Sequence, residues 1–195
     1  MSRRKPSRGS PVPAGKGVQV FDTQLGWVAM LWHGTRLQAL TFGLDSAQAA
    51  IAALDLKADV QSAVHPNRLK AALRTSGTDD PVAQRIRAYL AGRPDDFQDV
   101  AVDLEGYTEF QQRVLQHCRR IRYGQTLTYG QLARRVGSPA AARAVGSTMA
   151  RNRLPLVIPC HRVVGSGGLC GFSAPGGVAV KQRLLQMEAA RKEPA

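Results

Sequence analysis

The sequence predicts a small α/β unit followed by a mainly α-helical unit, and three observations carry that prediction. Residues 18–43 are short apolar runs broken by turns containing Gly and Asp, the pattern of a strand meander. From residue 108 to 152 apolar residues recur at helical spacing, behind Ser and Thr residues placed as caps. The chain has 195 residues, 44% of them hydrophobic, enough to bury a core in one or two small domains. No run approaches the ~18 uninterrupted apolar residues that a membrane span needs.

Residues 1–17, "MSRRKPSRGSPVPAGKG", are basic and rich in Pro, Gly and Ser with no apolar core, so a flexible tail is expected rather than a secretory signal. "VQVFDTQLGWVAMLWHGTRLQALTFG" then reads as three strands. "DSAQAAIAALDL" reads as a helix capped by Asp45 or Ser46. Residues 59–80 read as loop with one short helix at most. "DDPVAQRIRAYLAG" places Val82, Ile86, Tyr89 and Leu90 on one helical face and stops at Gly92 and Pro94. "FQDVAVDLEG" reads as a strand closing the first domain, 18–104.

The second domain, 105–195, opens with "TEFQQRVLQHCRRI", a helix capped by Thr108 with Phe110, Val114, Leu115 and Cys118 inward. Cys118 is accordingly a core thiol. Thr128 and Gln131 have the spacing of a capping box at the head of "TYGQLARRV". "SPAAARAVGSTMARN" should follow with Ser138 as cap and Pro139 at the first helical position. Two short helices around a Gly-containing turn form a helix-turn-helix pattern, which many helical hairpins share. Ala140, Ala141, Ala142, Ala144, Gly146 and Ser147 leave the second helix nearly bare, with Arg143 its one long side chain. Close helix packing explains that surface; so does a helix that presses into a groove of nucleic acid.

The formal net charge is +13, and it is unevenly spread. Between Glu109 and Glu188 there is no acidic residue, while arginines recur from Arg113 to Arg183 with Lys181 among them. A surface that is merely solubilising mixes signs. This one favours a polyanionic partner, and nucleic acid is the better fit. Three cysteines, Cys118, Cys160 and Cys170, without disulfide-like spacing point to a reducing, cytoplasmic setting.

Chemistry concentrates in "LPLVIPCHRVVG", residues 154–165. Cysteine is a strong nucleophile as its thiolate, which a nearby base or positive charge produces. In extended chain Cys160 and His161 would point to opposite sides, so a bridging water or a bent backbone is needed to couple them. His161 needs an acceptor to orient it, and carboxylates are scarce: Glu188, sharing a helical face with Lys181, Leu184 and Leu185, is the candidate, since Glu193 lies in the terminal "RKEPA". The expected relay is Cys160–water–His161–Glu188. A zinc site would need more ligands than Cys160, His161 and Cys170 supply, so no metal is expected. A buried, inert cysteine is the other reading of "PCHR" on its own.

Taken together, "IPCHRVV", the preceding "RAVGSTMARNRLPLV" and "FQQRVLQHCRRIRYGQTLTYGQLA", and the following "VAVKQRLLQME" resemble the O6-alkylguanine-DNA alkyltransferase family over residues ~105–190. The resemblance implies an RNase H-like N-terminal sheet with helices and a C-terminal helix-turn-helix domain. It implies direct, single-turnover repair without a cofactor, in which an O6-alkylguanine, and also O4-alkylthymine, in double-stranded DNA gives its alkyl group to Cys160. His161 and Glu188 would form the relay, Tyr129 would bond the flipped base and help protonate it, and Asn152 would pin the turn before the cysteine. Arg143 would fill the vacated stack, with Ala142, Ala144, Gly146, Ser147 and Arg151 around it at the minor groove. Met149, Pro155, Val163, Phe172 and Ser173 would line the alkyl pocket. The protein is expected to act as a monomer, cooperative binding along DNA being left open. The pocket loop departs from the family pattern, with Cys170 where glycine is common and one residue more than the tighter "GYSGG" form. A non-catalytic DNA-damage binder of the same family, which lacks the acceptor cysteine, and an unrelated thiol enzyme are the alternatives.

Overall fold

The computed structural model describes residues 17–58 and 80–190. The expected basic tail up to residue 16, the expected loop up to residue 79, and Glu193 lie outside the described residues, whereas Gly17 already belongs to the first strand. Among the described residues no helix is long and apolar enough to cross a membrane.

Three strands, β1 (Gly17–Thr23), β2 (Gly26–His33) and β3 (Arg36–Leu44), form an antiparallel meander in the order β1-β2-β3. Its first turn requires glycine. Gly26 has φ +94°, and a Cβ there would lie 2.6 Å from the Leu44 carbonyl oxygen. The unbroken apolar run Val28–Trp32 reflects a sheet covered on both faces. Val18, Val20, Ala29, Leu31 and Ala39 pack under α1 (Ala47–Ala58) against Ala50, Ile51 and Leu54. Ser46 is the cap of that helix, its hydroxyl accepting from the Ala49 N–H at 3.1 Å. Val28, Met30, Trp32, Leu40 and Phe42 point the other way.

Helix α2 (Pro81–Leu90) is capped by Asp80, which accepts from the Val82 and Ala83 N–H groups at 2.8 and 3.0 Å. The strand expected over "FQDVAVDLEG" does not form, apart from a one-residue parallel bridge of Val102 to Leu37. Side chains capture that backbone first. Asp95 accepts from the Phe97 N–H, Phe97 sits at φ +48°, and Arg119 Nη2 donates to the carbonyls of Phe97, Gln98 and Val100.

Helices α3 (Glu109–Arg119) and α4 (Tyr129–Arg135) each begin with a complete capping box, Thr108–Gln111 and Thr128–Gln131. Cys118 is fully buried in the core, as a thiol of that helix face should be. Helix α5 starts later than its sequence indicates, at Ala142, and ends at Ala150. Residues 138–141 form a turn in which the Ala141 N–H donates to the Ser138 carbonyl at 2.9 Å, so Ser138 caps nothing and Pro139 precedes the helix. A two-residue parallel pair, β4 (Leu127–Thr128) with β5 (Val163–Val164), and helix α6 (Gly177–Ala189) complete the fold.

One core joins the two halves. Phe42 and Leu40 of the sheet, Ile86 and Tyr89 of α2, Leu115, Leu132, Val145, Leu154 and Leu184 belong to a single buried cluster. The outer edge of β3 is stitched to the second half as well: the Leu40 N–H donates to the Arg153 carbonyl at 2.8 Å. Tyr107 bridges the same region, donating to the Arg151 carbonyl at 2.7 Å and accepting from the Arg153 N–H at 3.0 Å. Both tryptophans, Trp27 and Trp32, lie on β2, whereas most of the helix lies beyond residue 108. Urea unfolding followed by tryptophan fluorescence and by far-ultraviolet circular dichroism should therefore give one coincident transition. Separated midpoints would show two independently stable halves.

Candidate active site

The acceptor candidate sits on a tight bend. After α5 the chain turns through residues 151–159 and enters a single 3-10 turn, Cys160–Arg162, in which the Arg162 N–H donates to the Pro159 carbonyl at 2.9 Å. Leu156 adopts φ +72°, a left-handed conformation held here by a fully buried environment. Asn152 ties the bend together. Its Oδ1 accepts from the Leu154 N–H at 3.0 Å, and its Nδ2 donates to the Ile158 carbonyl at 2.9 Å and to Cys160 Sγ at 3.1 Å. The bent backbone replaces the extended one, so Cys160 and His161 are not forced onto opposite sides of a strand.

Cys160 is only 4% exposed, yet it lines a cavity of about 360 Å³ together with Tyr129, Gly146, Met149, Ala150, Gly171, Phe172 and Ser173. That volume lies in the roughly 300–1,000 Å³ range of small-molecule pockets. The α4 and α5 helices meet at this wall: Gly146 lies against the Tyr129 ring, where an added Cβ would be 3.8 Å from Cε1. Burial holds the Tyr129 phenol above its ordinary value, with the neighbouring thiols adding to the effect, so the hydroxyl keeps its proton and can donate.

Behind the cysteine lies a buried charge cluster. His161 and Glu188 are fully buried, with His161 Nε2 3.0 Å from Glu188 Oε1. Arg162, 1% exposed, donates from Nε to both Glu188 oxygens at 3.1 Å and from Nη2 to Oε1 at 2.9 Å. The Gly124 N–H donates to Oε2 at 3.0 Å, and the Tyr89 hydroxyl donates to Oε1. Arg162 Nη1 reaches Asp96 at 2.9 Å and the Ile121 carbonyl at 2.6 Å. Burial would raise the Glu188 carboxyl, but His161 and Arg162 outweigh it and hold it at about 2. Burial lowers His161, which is neutral. An ionised carboxylate can only accept, so the imidazole proton lies on Nε2 and Nδ1 carries a free lone pair. Nδ1 is buried and has no hydrogen-bond partner among the described residues.

Lys181 of α6 is also buried. Its Nζ donates to the Val163 carbonyl at 2.7 Å and to those of Cys170 and Gly171 at 3.3 and 3.5 Å, and it lies 6.0 Å from the Tyr129 ring centre. Burial lowers its ammonium, while the Cys160 and Cys170 sulfurs act to raise it. It ties the pocket loop to β5 and puts a cation near the Cys160 sulfur.

Of the residues expected in the pocket, Met149, Phe172 and Ser173 line the cavity. Pro155 and Val163 do not: Pro155 is packed in the Asn152 bend, and Val163 is committed to β5 opposite Leu127. Cys170 is exposed on the loop, its sulfur packed against Gly165. Arg143, Ala144, Ser147 and Arg151 are exposed on and after α5, and Ala142 and Gly146 are partly covered. Tyr89, Arg162, Asp96, Gly124 and Lys181 escaped the sequence reading. Tyr89 reads as one more apolar position of its helix, Arg162 as a member of the basic run, and Lys181 as a member of that run on the Glu188 face, without a role in the site. The one available signal was the adjacency of Arg162 to "PCH". Among the described residues no group of His, Cys, Asp and Glu could hold a metal ion.

The charge cluster makes stability acid-sensitive. In the unfolded chain His161 takes up a proton near its ordinary 6.5 and Glu188 near 4.5, whereas both are held lower in the fold. Stability should fall as pH drops through 6.5 and again from about 4.5 toward about 2. Glu188→Gln, which leaves the buried Arg162 with only the half-buried Asp96 as a carboxylate partner, should cost roughly 3–5 kcal/mol at neutral pH and flatten the second decline. Urea titrations at a series of pH values test this, and an unchanged acid profile in the variant would contradict it.

Comparison with known proteins is consistent with this geometry. Residues 109–190 match the family model described as "6-O-methylguanine DNA methyltransferase, DNA binding domain". The methylated-DNA–protein-cysteine methyltransferase of Mycobacterium tuberculosis (strain H37Rv) is 44% identical over 124 residues, covering 60% of this chain and 73% of the relative. A crystal structure of M. tuberculosis OGT in complex with DNA superimposes with TM-score 0.64 at 32% identity, over 90% of this chain and 94% of that one. The O6-methylguanine-DNA methyltransferase of Pyrococcus kodakaraensis KOD1 gives TM-score 0.66 at 26% identity, over 88% and 98%. Similarity of this extent in sequence and in fold shows that the chain belongs to the methylated-DNA–protein-cysteine methyltransferase family.

Proposed function

We propose that the protein repairs DNA by direct reversal, taking the alkyl group of an O6-alkylguanine, and of O4-alkylthymine as a second substrate, irreversibly onto Cys160. The observation that carries the reading is the placement of Cys160 Sγ at the wall of the 360 Å³ cavity, with Asn152 Nδ2 at 3.1 Å and a neutral, carboxylate-anchored histidine behind it. His161 Nδ1 takes the thiol proton, directly or through a water, and the thiolate attacks the alkyl carbon in line. The S–C bond forms as the C–O bond breaks, and the electron pair stays on the departing guanine, which Tyr129 helps to protonate. The resulting thioether is stable, so each molecule acts once.

DNA binding is supported by the DNA complex of the M. tuberculosis relative. We read α4 and α5 as a helix-turn-helix whose second helix enters the minor groove, its small exposed side chains allowing close approach. Arg143, exposed on the first turn of α5, then occupies the space the flipped base leaves, offsetting a flipping cost of a few kcal/mol. The exposed arginines 113, 120, 122, 134, 135 and 151 supply phosphate contacts. The RNase H-like reading of the N-terminal sheet rests on its three-strand meander with α1 packed across one face.

The experiment is incubation with a duplex oligonucleotide containing O6-methylguanine, followed by mass analysis of the intact protein and its peptides. One methyl gained on the Cys160 peptide, with stoichiometric completion and no turnover, is the expected result. Cys160→Ser should abolish transfer and retain binding; a serine variant that still demethylates DNA would overturn the mechanism. Tight binding without methyl gain by the native chain would instead mark a damage binder. Arg143→Ala should slow transfer from duplex DNA roughly ten- to a hundredfold, while transfer from the free base is little changed. Equal losses on both substrates would remove Arg143 from base extrusion.

A further inference from the structure

We infer that Tyr89, contributed by α2 of the N-terminal half, is a positioning residue of the alkyl-acceptor site that holds His161 in the tautomer able to receive the Cys160 proton. This inference rests on the proposed transfer reaction. Tyr89 is fully buried, and its hydroxyl lies 3.1 Å from His161 Nε2 while also bonding Glu188 Oε1. Only one arrangement of protons satisfies all three groups. Glu188 is ionised and has no proton to give, so the Tyr89 O–H must donate to it. The Tyr89 oxygen then presents lone pairs to Nε2, which must carry the imidazole proton and meets two acceptors, Oη and Oε1. The opposite tautomer would set the Nε2 lone pair against both. Nδ1 is thereby kept unprotonated.

The ring is as constrained as the hydroxyl. Tyr89 packs edge-on against Phe97 and Tyr123, with centroids at 5.5 and 6.0 Å. Burial and the Glu188 charge push its phenol well above 10, so the donor is not lost at working pH. The charged and titratable groups facing His161 come from every element around it: Tyr89 from α2, Glu188 and Lys181 from α6, and Cys160 and Arg162 from its own turn, with Asp96 beyond Arg162 and Cys118 of α3 beyond Cys160. Tyr89 is the group among these that supplies an uncharged acceptor to Nε2. When His161 accepts the thiol proton, the same oxygen remains bonded to the imidazolium.

Tyr89→Phe in the full chain removes this oxygen and leaves the ring, Arg162 and Gly124 in place. Transfer of methyl from an O6-methylguanine duplex should then slow roughly 10- to 100-fold, the weight of one hydrogen bond to a charged group. The acid-side pH of half-maximal rate should move downward, because an imidazolium that has lost an acceptor gives up its proton at lower pH, while the maximal rate falls. The final fraction of Cys160 methylated should not change. A variant with a reduced final fraction but native rate and pH midpoint would show a merely structural Tyr89 and overturn the inference, as would a variant that is native in all three. Should the variant not fold, imidazole nitrogen-15 spectra of the native protein decide: His161 must show a protonated Nε2, and a protonated Nδ1 would overturn the inference. Failure of the native chain to accept methyl at all would count against the proposed function, not against the tautomer.

Discussion

The carboxylate of Glu188 is removed from water, and burying an unpaired charge would cost several kcal/mol, so the surrounding structure is obliged to answer it. Arg162 neutralises it through a forked contact, and the Gly124 N–H, the Tyr89 hydroxyl and His161 fill the remaining lone-pair positions. The donors arrive from three parts of the chain, α2, the turn after α3 and the 3-10 turn, and meet the carboxylate carried by α6. None of these segments can shift without leaving a charge or a buried donor unsatisfied, and such networks rigidify what they join. That requirement fixes the orientation of the imidazole, and with it the free Nδ1 lone pair.

The bend that carries Cys160 is built on the same logic at shorter range. Asn152 answers one N–H, one carbonyl and one sulfur, so a nine-residue turn between helix and acceptor has a single geometry. Lys181 performs a matching task on the opposite side, gathering three carbonyls from β5 and the pocket loop. A buried cation bonded only to carbonyls keeps uncompensated positive charge, which favours an anionic sulfur nearby. The pocket loop is thus anchored at its root near Cys170 and Gly171, while Phe172 and Ser173 remain at the cavity wall.

The basic half divides into two populations that charge counting merges. Arg162 and Lys181 are interior, and Arg119 and Arg153 are largely spent on backbone carbonyls at the junction of the halves. Arg113, Arg120, Arg122, Arg134, Arg135, Arg143 and Arg151 remain exposed. Even with the interior cations set aside, the charged residues exposed on α4 and α5 are of one sign, and both helices contribute to the cavity wall.

Local interactions were legible in the sequence because they depend on neighbours in the chain. The capping boxes at Thr108 and Thr128, the Asp80 cap with Pro81, the strand meander and the motif order from "FQQRVLQH" to "IPCHRVV" are all short-range signals, and the Glu188 partner followed from the scarcity of acids. The strand over residues 97–104 and the Ser138 cap were misread because distant or turn-forming groups took the backbone instead. Tyr89 as a member of the site, Arg162 as its counter-charge and the exclusion of Pro155 and Val163 from the cavity were decided only by the tertiary structure. Each depends on which face of an element meets a partner up to 99 residues away, and burial, unlike helical or strand periodicity, is a property of the assembled fold.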